Sequence, residues 1–199
     1  RKQFLSNKIK DISSVLITHK HADQTHGLFE LRPFFWKYNK KINIYSDSST
    51  IKYLKNNQKY LFKKTEGYVP ILKTNIVKKK FSLGKSKDKI FIRSILAKHG
   101  KIKSLIYVFN KTAYISDCND LSIVNFDILK NLNYLILDCL KFDKHPSHFN
   151  LDEALHVIKQ LKPKKTILTN LHYDLDYDFL ISKLPKNVLP AYDGLKINL

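Results

Sequence analysis

Short apolar runs rich in β-branched residues alternate along this chain with segments whose apolar positions recur at helical spacing. The runs predict strands and the amphipathic segments predict helices. Predicted strands cover 13–17, 41–45, 89–97, 104–110, 112–116, 134–139, 165–169 and 188–199. Predicted helices cover 127–132, 151–161 and 177–184, with two earlier ones carrying Leu28, Leu31, Phe34, Phe35 and Tyr38 and then Ile51 and Leu54. This alternation predicts an α/β fold with parallel strand pairing.

Local signals define where several of these elements begin and end. We expect residues 48–50 to cap the helix that carries Ile51, and Asn150 to cap the helix over 151–161. Pro33 predicts a kink or break in the helix after the first strand. The Lys-rich segment 68–86 predicts a pair of edge strands whose lysines protect exposed edges. Without repeats or a low-complexity linker, the chain is expected to form one compact domain over 1–199.

Polar side chains follow the first predicted strand in a regular order. His19, His21 and Asp23 are spaced two residues apart, and His26 comes shortly afterwards. Ligands placed where a strand gives way to a loop can converge on one point while the sheet holds their backbone. Two imidazoles and a carboxylate are ligand types that Zn²⁺ and similar ions prefer. The pattern therefore predicts a metal site rather than a His-rich surface loop.

Three later strands also end in polar residues. His99, with Gly100 beside it, follows one strand, Asp117 follows the next, and Asn170 and His172 follow a third. Each residue alone fits a turn, a cap or a satisfied core side chain. Four such strand ends together favour a site, because open α/β folds place their sites beyond strand ends. A carboxylate between imidazoles would hold two divalent ions in an arrangement suited to hydrolysis.

The loop ahead of the predicted 151–161 helix contains two further histidines. His145 and His148 flank Pro146, which stiffens the segment. Because the pKa of histidine lies near neutrality, either ring could bind a phosphate oxygen or protonate a leaving group. The alternative is that one of them caps the helix or hydrogen-bonds the loop. Both residues are therefore candidates for contact with the substrate.

The charge balance bears on partners. The formal net charge is +19, which invites a nucleic-acid interpretation, yet only Arg1, Arg32 and Arg93 are arginines among the 36 basic residues. Base and phosphate readers usually rely on the bidentate guanidinium of arginine. Composition therefore favours a solvated Lys-rich surface over a specific nucleic-acid interface. Nucleic acid is a possible partner but not the favoured one.

Cysteine usage and hydropathy bear on location. Cys118 and Cys139 are too few and too far apart for a disulfide scaffold, which favours reduced thiols in the cytoplasm. No apolar run approaches the ~20 residues that span a bilayer, and no signal peptide is present, so we expect no membrane partner. The chain has no Met and begins at Arg1, so we expect that it is truncated at its N-terminus.

Four phrases of the chain, in order, resemble the metallo-β-lactamase superfamily of metal-dependent hydrolases. They are residues 18–32, 145–155, 169–177 and 191–195. Within the superfamily, the chain is similar to the branch that contains the phosphoribosyl cyclic phosphate phosphodiesterase of phosphonate breakdown. The resemblance implies a metallo-β-lactamase-like αβ/βα four-layer sandwich whose first strands are missing here. It also implies Zn²⁺ as cofactor, with two ions expected and Mn²⁺ as the alternative.

The resemblance also implies roles for individual residues. It assigns His19, His21 and His99 to the first metal. Asp117 is the bridging carboxylate, and Asp23 belongs to the second metal. His172 is the late ligand, and His148 lies near the scissile phosphate. Asp23 and the metals would position a water for attack at phosphorus, and His148 would assist the leaving oxygen.

Two departures from the family pattern affect the implied second metal site. Gln24 stands where the family usually has a histidine, so that site is looser, completed by His26 or a water, or empty. Many relatives carry the late metal-binding histidine where Asn170 stands here, while others have the Asn-x-His order. We take His172 as the late ligand. Gln24, His26, His145 and Asn170 remain candidates for supporting or substrate contacts.

The sequence therefore predicts a metal-dependent hydrolase, a phosphodiesterase acting on a small cyclic or nucleotide-like phosphate. The alternatives of the same fold are an RNA or DNA phosphodiesterase and a thioester hydrolase, between which a fold cannot choose. The nuclease alternative requires the Lys-rich stretch 73–89 to lie beside the metals. Gln24 motivates a third alternative, a single-metal binding protein without catalysis. The expected partner is a small phosphorylated substrate, and a homodimer is the assembly considered.

Overall fold

The computed structural model describes residues 1–198, and these divide after Lys78 into two compact units. Each unit contains its own sheet and its own cluster of buried apolar side chains. The division into two units does not test the prediction that residues 1–199 form one domain, which stays a prediction. Within residues 1–198, no helix is long and apolar enough to cross a membrane.

The N-terminal unit is built on a three-stranded parallel sheet in the order β1-β2-β3. Its elements are α1 (Lys2–Ser6), β1 (Ser14–Leu16), α2 (Ala22–Thr25), α3 (Arg32–Tyr38), β2 (Ile42–Ser46), α4 (Ser48–Asn57) and β3 (Leu72–Ile76). Ile44 of the central strand and Leu54 of α4 have no exposed surface. Parallel pairing places the C-terminal ends of β1 and β2 at one edge, so residues that follow β1 begin at that edge.

Two details of this unit differ from the sequence expectation. The predicted helix after β1 is broken into α2, a 3₁₀ segment His26–Leu31, and α3. Pro33 lies in the first turn of α3, where its missing N–H costs nothing, which confirms the predicted break. The prediction that residues 48–50 cap α4 is wrong. Asp47 is the cap, because its carboxylate accepts from the backbone N–H groups of Ser49 at 2.8 Å and Thr50 at 3.2 Å.

The C-terminal unit contains a seven-stranded sheet in the order β10-β9-β8-β7-β6-β5-β4. Its elements are β4 (Lys80–Leu83), β5 (Ile90–His99), β6 (Ile102–Phe109), β7 (Thr112–Ile115), β8 (Tyr134–Asp138), α5 (Leu151–Leu161), β9 (Lys165–Thr169), α6 (Tyr177–Lys183) and β10 (Val188–Pro190). Strands β7 to β10 pair in parallel, whereas β4 to β7 pair antiparallel. The antiparallel half follows from connections too short for a crossover. The predicted α/β class is confirmed.

Several other sequence predictions can be compared with this unit. Asn150 caps α5 in a reciprocal capping box with Glu153, as predicted. The predicted helix over 127–132 is instead a 3₁₀ turn at Phe126–Leu129. Strands β3 and β4 each lie at the edge of their own sheet but do not pair with each other. The predicted closing strand 188–199 contracts to β10, and Leu199 lies outside the described residues.

Candidate metal centre

In the N-terminal unit, the segment after β1 places two imidazoles side by side. The Ser46 hydroxyl donates to the carbonyl of Ile17 at 2.8 Å and fixes the exit of the strand. His19 is buried and His21 is exposed, and their ring centroids lie 4.5 Å apart in an edge-to-face arrangement. Because the backbone ahead of His19 belongs to the sheet, the position of this ring is set by the fold rather than by the loop.

Asp23 lies in the first turn of α2, next to the amide that replaces the family's histidine. Gln24 Nε2 donates to Asp23 Oδ2 at 2.9 Å. Partial burial raises the pKa of Asp23, but the hydrogen bond from Gln24 and the nearby His19 and His21 outweigh burial, so the pKa falls below its usual value. Asp23 is therefore an anion with one oxygen already engaged. His26 begins the 3₁₀ segment and is exposed.

In the C-terminal unit, the last residue of β5 supplies a buried imidazole whose tautomer can be assigned. His99 Nδ1 lies 2.6 Å from the carbonyl oxygen of Ser147. A carbonyl only accepts, so Nδ1 carries the proton and Nε2 keeps its lone pair. The loop approaches closely here because Gly100 follows with φ +57°, and a Cβ on it would lie 2.9 Å from Ser147 Cβ. Glycine at position 100 therefore allows the close approach of this loop.

Asp117, directly after β7, is buried and accepts hydrogen bonds on both oxygens. The Ser116 hydroxyl donates to Oδ2 at 2.6 Å, and Asn170 Nδ2 donates to Oδ1 at 3.3 Å. Asn170 also donates to the carbonyl of Ser116 and adopts the left-handed backbone conformation at φ +63°. Asparagine tolerates that conformation better than most residues. A carboxamide therefore lies against the carboxylate that the resemblance names as the bridge.

His148 is oriented by a carboxylate that sequence reasoning missed. Its Nδ1 lies 2.8 Å from Oδ2 of Asp138, which also accepts from the backbone N–H of Cys118 at 3.0 Å. Asp138 has no exposed surface, and burial raises its pKa to about 6 although both hydrogen bonds act to lower it. Asp138 ends β8, so the same rule of polar residues at strand ends would have identified it.

Three of these side chains converge within the C-terminal unit. One ligand atom each of His99, Asp117 and His148 lies within 4.8 Å of the other two, in a buried to half-buried setting. The Nδ1 atoms of both rings face Ser147 and Asp138, so Nε2 is the atom with which each ring would hold a ligand. His99 and Asp117 with such outer partners fit a divalent transition metal, and Nε2 of His148 can serve as a third ligand or as a proton donor.

Two predicted histidines of the C-terminal unit, His172 and His145, lie outside this trio. His172 is exposed, its Nδ1 lies 2.9 Å from Asp174 Oδ1, and its role as late ligand stays a prediction. His145 Nδ1 accepts from the Ser147 hydroxyl at 3.3 Å, and its ring centroid lies 5.2 Å from that of His148. Burial and then the charges of His148 and Lys141 lower the pKa of His145, so it is neutral near pH 7.

Comparison with known proteins assigns the family. Residues 1–173 match the family described as "Beta-lactamase superfamily domain". The chain belongs to this family. The structure is also similar to a solved structure described as a new diphosphatase from the PhnP family, with a TM-score of 0.88, 27% identity, and coverage of 100% of this chain and 76% of that one. The metallo-β-lactamase resemblance is thereby confirmed.

Two further proteins are similar to this chain in fold or in sequence. The fold is similar to that of zinc-bound PqqB from Methylobacterium extorquens, with a TM-score of 0.69, 12% identity, and coverage of 94% of this chain and 71% of that one. A protein named Octanoyltransferase from Porphyromonas gingivalis (strain ATCC BAA-308 / W83) is 27% identical over 200 residues and 98% of this chain. The chain spans only 40% of the length of that curated relative.

Proposed function

We propose that this metallo-β-lactamase superfamily member is a metal-dependent phosphodiesterase that acts on a small cyclic or nucleotide-like phosphate. The observation that carries the proposal is the convergence of His99, Asp117 and His148, each held by its own hydrogen-bond partner. Likeness to a protein described as a diphosphatase supports a phosphorus centre as the point of attack.

In this proposal, the chain's residues divide into holders of the metal and a proton donor. His99 and Asp117 would hold a divalent ion, Zn²⁺ or Mn²⁺, and the resemblance adds His19, His21, Asp23 and His172 for a pair of ions. When bound, such an ion neutralises charge on the phosphate oxygens and lowers the pKa of a bound water. Zinc bound to another protein of this fold supports the choice of metal.

His148 is proposed to hold the proton that the leaving oxygen needs. Its Nδ1 faces the buried carboxylate of Asp138, which stabilises the imidazolium form and fixes the ring orientation. The Nε2 proton is then available at the side of the ring opposite Asp138. His145, which is neutral and half-buried next to His148, would contact the substrate without adding charge.

The test compares three single variants of the purified chain by elemental analysis and by hydrolysis of bis(p-nitrophenyl) phosphate. We expect His99→Ala to lose bound metal and turnover together. His148→Ala is expected to keep its metal and lose ~10²–10⁴-fold in rate, the usual contribution of a general acid. His156→Ala is the matched control, because His156 is an exposed histidine of α5 that hydrogen-bonds Gln160.

Two outcomes would contradict this division of roles. Loss of metal in His148→Ala would make Nε2 of His148 a ligand rather than a proton donor. Absence of turnover in the metal-loaded parent chain, at one ion or two, would refute the phosphodiesterase. Chelation that leaves the rate unchanged would refute metal dependence itself.

The alternative of a single-metal binding protein is favoured by one specific observation. Both carboxylates that the resemblance assigns to the metals accept a hydrogen bond from a side-chain amide, Asp23 from Gln24 and Asp117 from Asn170. A metal ion that took the place of the amide N–H at either carboxylate oxygen would break that hydrogen bond. The neutral amide itself is a weak metal ligand. This alternative predicts one tightly bound ion per chain and no hydrolysis.

We also propose a cytoplasmic location, supported by the state of the two thiols. Cys118 and Cys139 are both buried and free, and burial raises the pKa of each to about 12. Such thiols are protonated and unreactive, as expected of structural cysteines in a reducing compartment.

A further inference from the structure

A groove of about 630 Å³ opens on the sheet of the C-terminal unit and contains none of the candidate metal-site residues. Residues of β4, β5, the end of β6 and the segment 128–132 line it. Cations and apolar side chains share its lining, among them Lys80, Phe91, Arg93, Val108, Lys111 and Lys130. No acidic residue lines the groove within the described part of the chain.

The floor of the groove carries two cations directly opposite each other. The register of β4 and β5 pairs Lys80 with Arg93, so their side chains leave the same face of the sheet. Like charges in this position destabilise a sheet. None of the ion pairs within residues 1–198 involves either side chain.

Another cross-strand pair of cations in the same sheet is handled differently. Lys98 pairs with Lys103 across β5 and β6, but Lys98 Nζ lies 2.7 Å from a carboxylate oxygen of Asp120. Asp120 therefore compensates one of the two charges of that pair, whereas no carboxylate within residues 1–198 forms an ion pair with Lys80 or Arg93. An external anion at the groove would relieve the repulsion between Lys80 and Arg93.

An exposed aromatic ring adjoins the two cations. Phe91 lies two residues before Arg93 on the same strand, so both side chains lie on one face of the sheet. Phe91 is 69% exposed. The ammonium of Lys89 lies 5.1 Å from the centre of the Phe91 ring. Exposed aromatic rings among cations are the stacking platforms on which proteins bind unpaired bases.

Protection of a sheet edge does not account for this arrangement. Lysines on an edge strand prevent edge-to-edge association, which explains Lys80 on β4. It does not explain Arg93 and Phe91, because β5 is paired on both sides, with β4 and with β6. Arg93 is also one of only three arginines in a chain whose other 33 basic residues are lysines. A guanidinium binds phosphate with two parallel hydrogen bonds, which an ammonium cannot do.

We infer that this groove binds single-stranded nucleic acid, with backbone phosphates at Lys80 and Arg93 and one base stacked on Phe91. A duplex would keep its bases paired and leave the ring without a partner. An acidic peptide would match the cations but would offer no planar base to the ring. The inference concerns binding alone and does not depend on the proposed hydrolysis.

The test is fluorescence anisotropy with a labelled oligothymidylate of about ten nucleotides, within the range that one stacking surface covers. The full chain is used as purified, and the probe is checked on a gel afterwards so that cleavage is detected. We expect Phe91→Ala to weaken binding by roughly 10-fold, because each stacked base contributes on that order. Arg93→Gln is expected to reduce the slope of log K against log salt by about 0.7.

Two matched variants control for bulk effects. Lys159→Gln removes the same charge from α5, and Phe179→Ala removes the same ring from α6, both outside the groove. We expect both to bind the probe as the parent chain does. Equal losses in the control variants, or parental binding by both groove variants, would overturn the inference. If the parent chain bound a duplex as tightly as the oligothymidylate, the inference would also be overturned. The same holds if the parent chain bound polyglutamate and the two groove variants weakened that binding equally.

Discussion

Nδ1 of His148 lies 2.8 Å from Oδ2 of Asp138, a carboxylate with no exposed surface. The two residues are ten positions apart, at the end of β8 and in the loop before α5. A buried carboxylate in this position fixes both the tautomer and the orientation of the ring it contacts. Asp138 is therefore a positioning residue, because it orients the His148 ring whether that ring binds metal or donates a proton.

The first prediction concerns this pair. Asp138→Asn keeps the size of the side chain but weakens the hydrogen bond to Nδ1, so we expect hydrolysis to fall ~10–100-fold. Initial rates with bis(p-nitrophenyl) phosphate measure the effect. Asp178→Asn, an exposed carboxylate in the first turn of α6, is the matched control and should retain the parental rate.

A double variant separates positioning from a merely structural effect. If Asp138 acts through His148, adding Asp138→Asn to His148→Ala should lower the rate little further, because coupled residues are not additive. Fully multiplicative losses would show that Asp138 acts independently of the imidazole.

The second prediction concerns the close approach at Gly100. Gly100→Ala places a methyl 2.9 Å from Ser147 Cβ at a residue with φ +57°, so both strain and contact oppose it. We expect a loss of stability of about 1–3 kcal/mol and a lower rate, because the Ser147 carbonyl that holds His99 would have to move. Thermal unfolding and initial rates measure the two effects.

Gly67 provides the control for this substitution. It has φ +71°, but a methyl group added there would meet nothing within 4 Å, because the space beside it is open. Gly67→Ala should therefore show the backbone strain without the contact. Equal losses of stability in the two variants would mean that the approach of Ser147 is not what requires glycine at position 100.

The third prediction concerns the cap of α4. Asp47 accepts from the backbone and hydroxyl groups of Ser49 and Thr50, so Asp47→Ala should lower the free energy of unfolding by ~1 kcal/mol. Asp47→Asn should cost less, because its carbonyl oxygen still caps. Denaturant unfolding followed by circular dichroism at pH 7 measures both.

The same cap predicts a dependence on pH. Partial burial acts to raise the pKa of Asp47, but the hydrogen bonds from Ser49 and Thr50 outweigh it, so the pKa is lower in the folded chain than in the unfolded chain. The stabilisation is therefore complete above the unfolded pKa of ~4 and is lost as pH falls through the folded pKa. The gap between the parent and Asp47→Ala should narrow below pH ~4; a constant gap would contradict this origin.

The fourth prediction concerns the two amides beside the candidate ligands. Gln24→His and Asn170→His replace neutral amides by imidazoles, which are far better metal ligands. We expect the double variant to bind more metal per chain than the parent, measured by elemental analysis. Asn170→Ala removes the amide without adding a ligand and should not gain metal. Equal metal content in the parent and the double variant would show that these amides do not limit occupancy.

Local sequence was sufficient for most elements and for part of the candidate site. Asn150 as the cap of α5 and the strand over 165–169 follow from neighbouring residues, and both are as predicted. Polar residues at strand ends pointed to His99 and Asp117, which the structure brings together with His148. The cap Asp47 was missed although its signal is also local. Aspartate and serine cap helices about equally well, so the sequence did not distinguish Asp47 from the serines that follow it.

Pairings between distant segments needed the tertiary structure. Whether β4 would lie beside β3 or β5 depends on sheet order, which hydrophobic periodicity does not contain. The same is true of the contact between Asp138 and His148 and of the cation pair Lys80 and Arg93.

The sequence by itself determined the alternation of strands and helices, the family, and most of the chemical groups at the strand ends. Only the tertiary structure decided which of those groups meet, which carboxylate orients His148, and that the cations Lys80 and Arg93 share a groove with Phe91. The physical reason is that secondary structure follows from the spacing of neighbouring residues, whereas a site requires residues far apart in sequence to be adjacent, and adjacency is set by strand order and register.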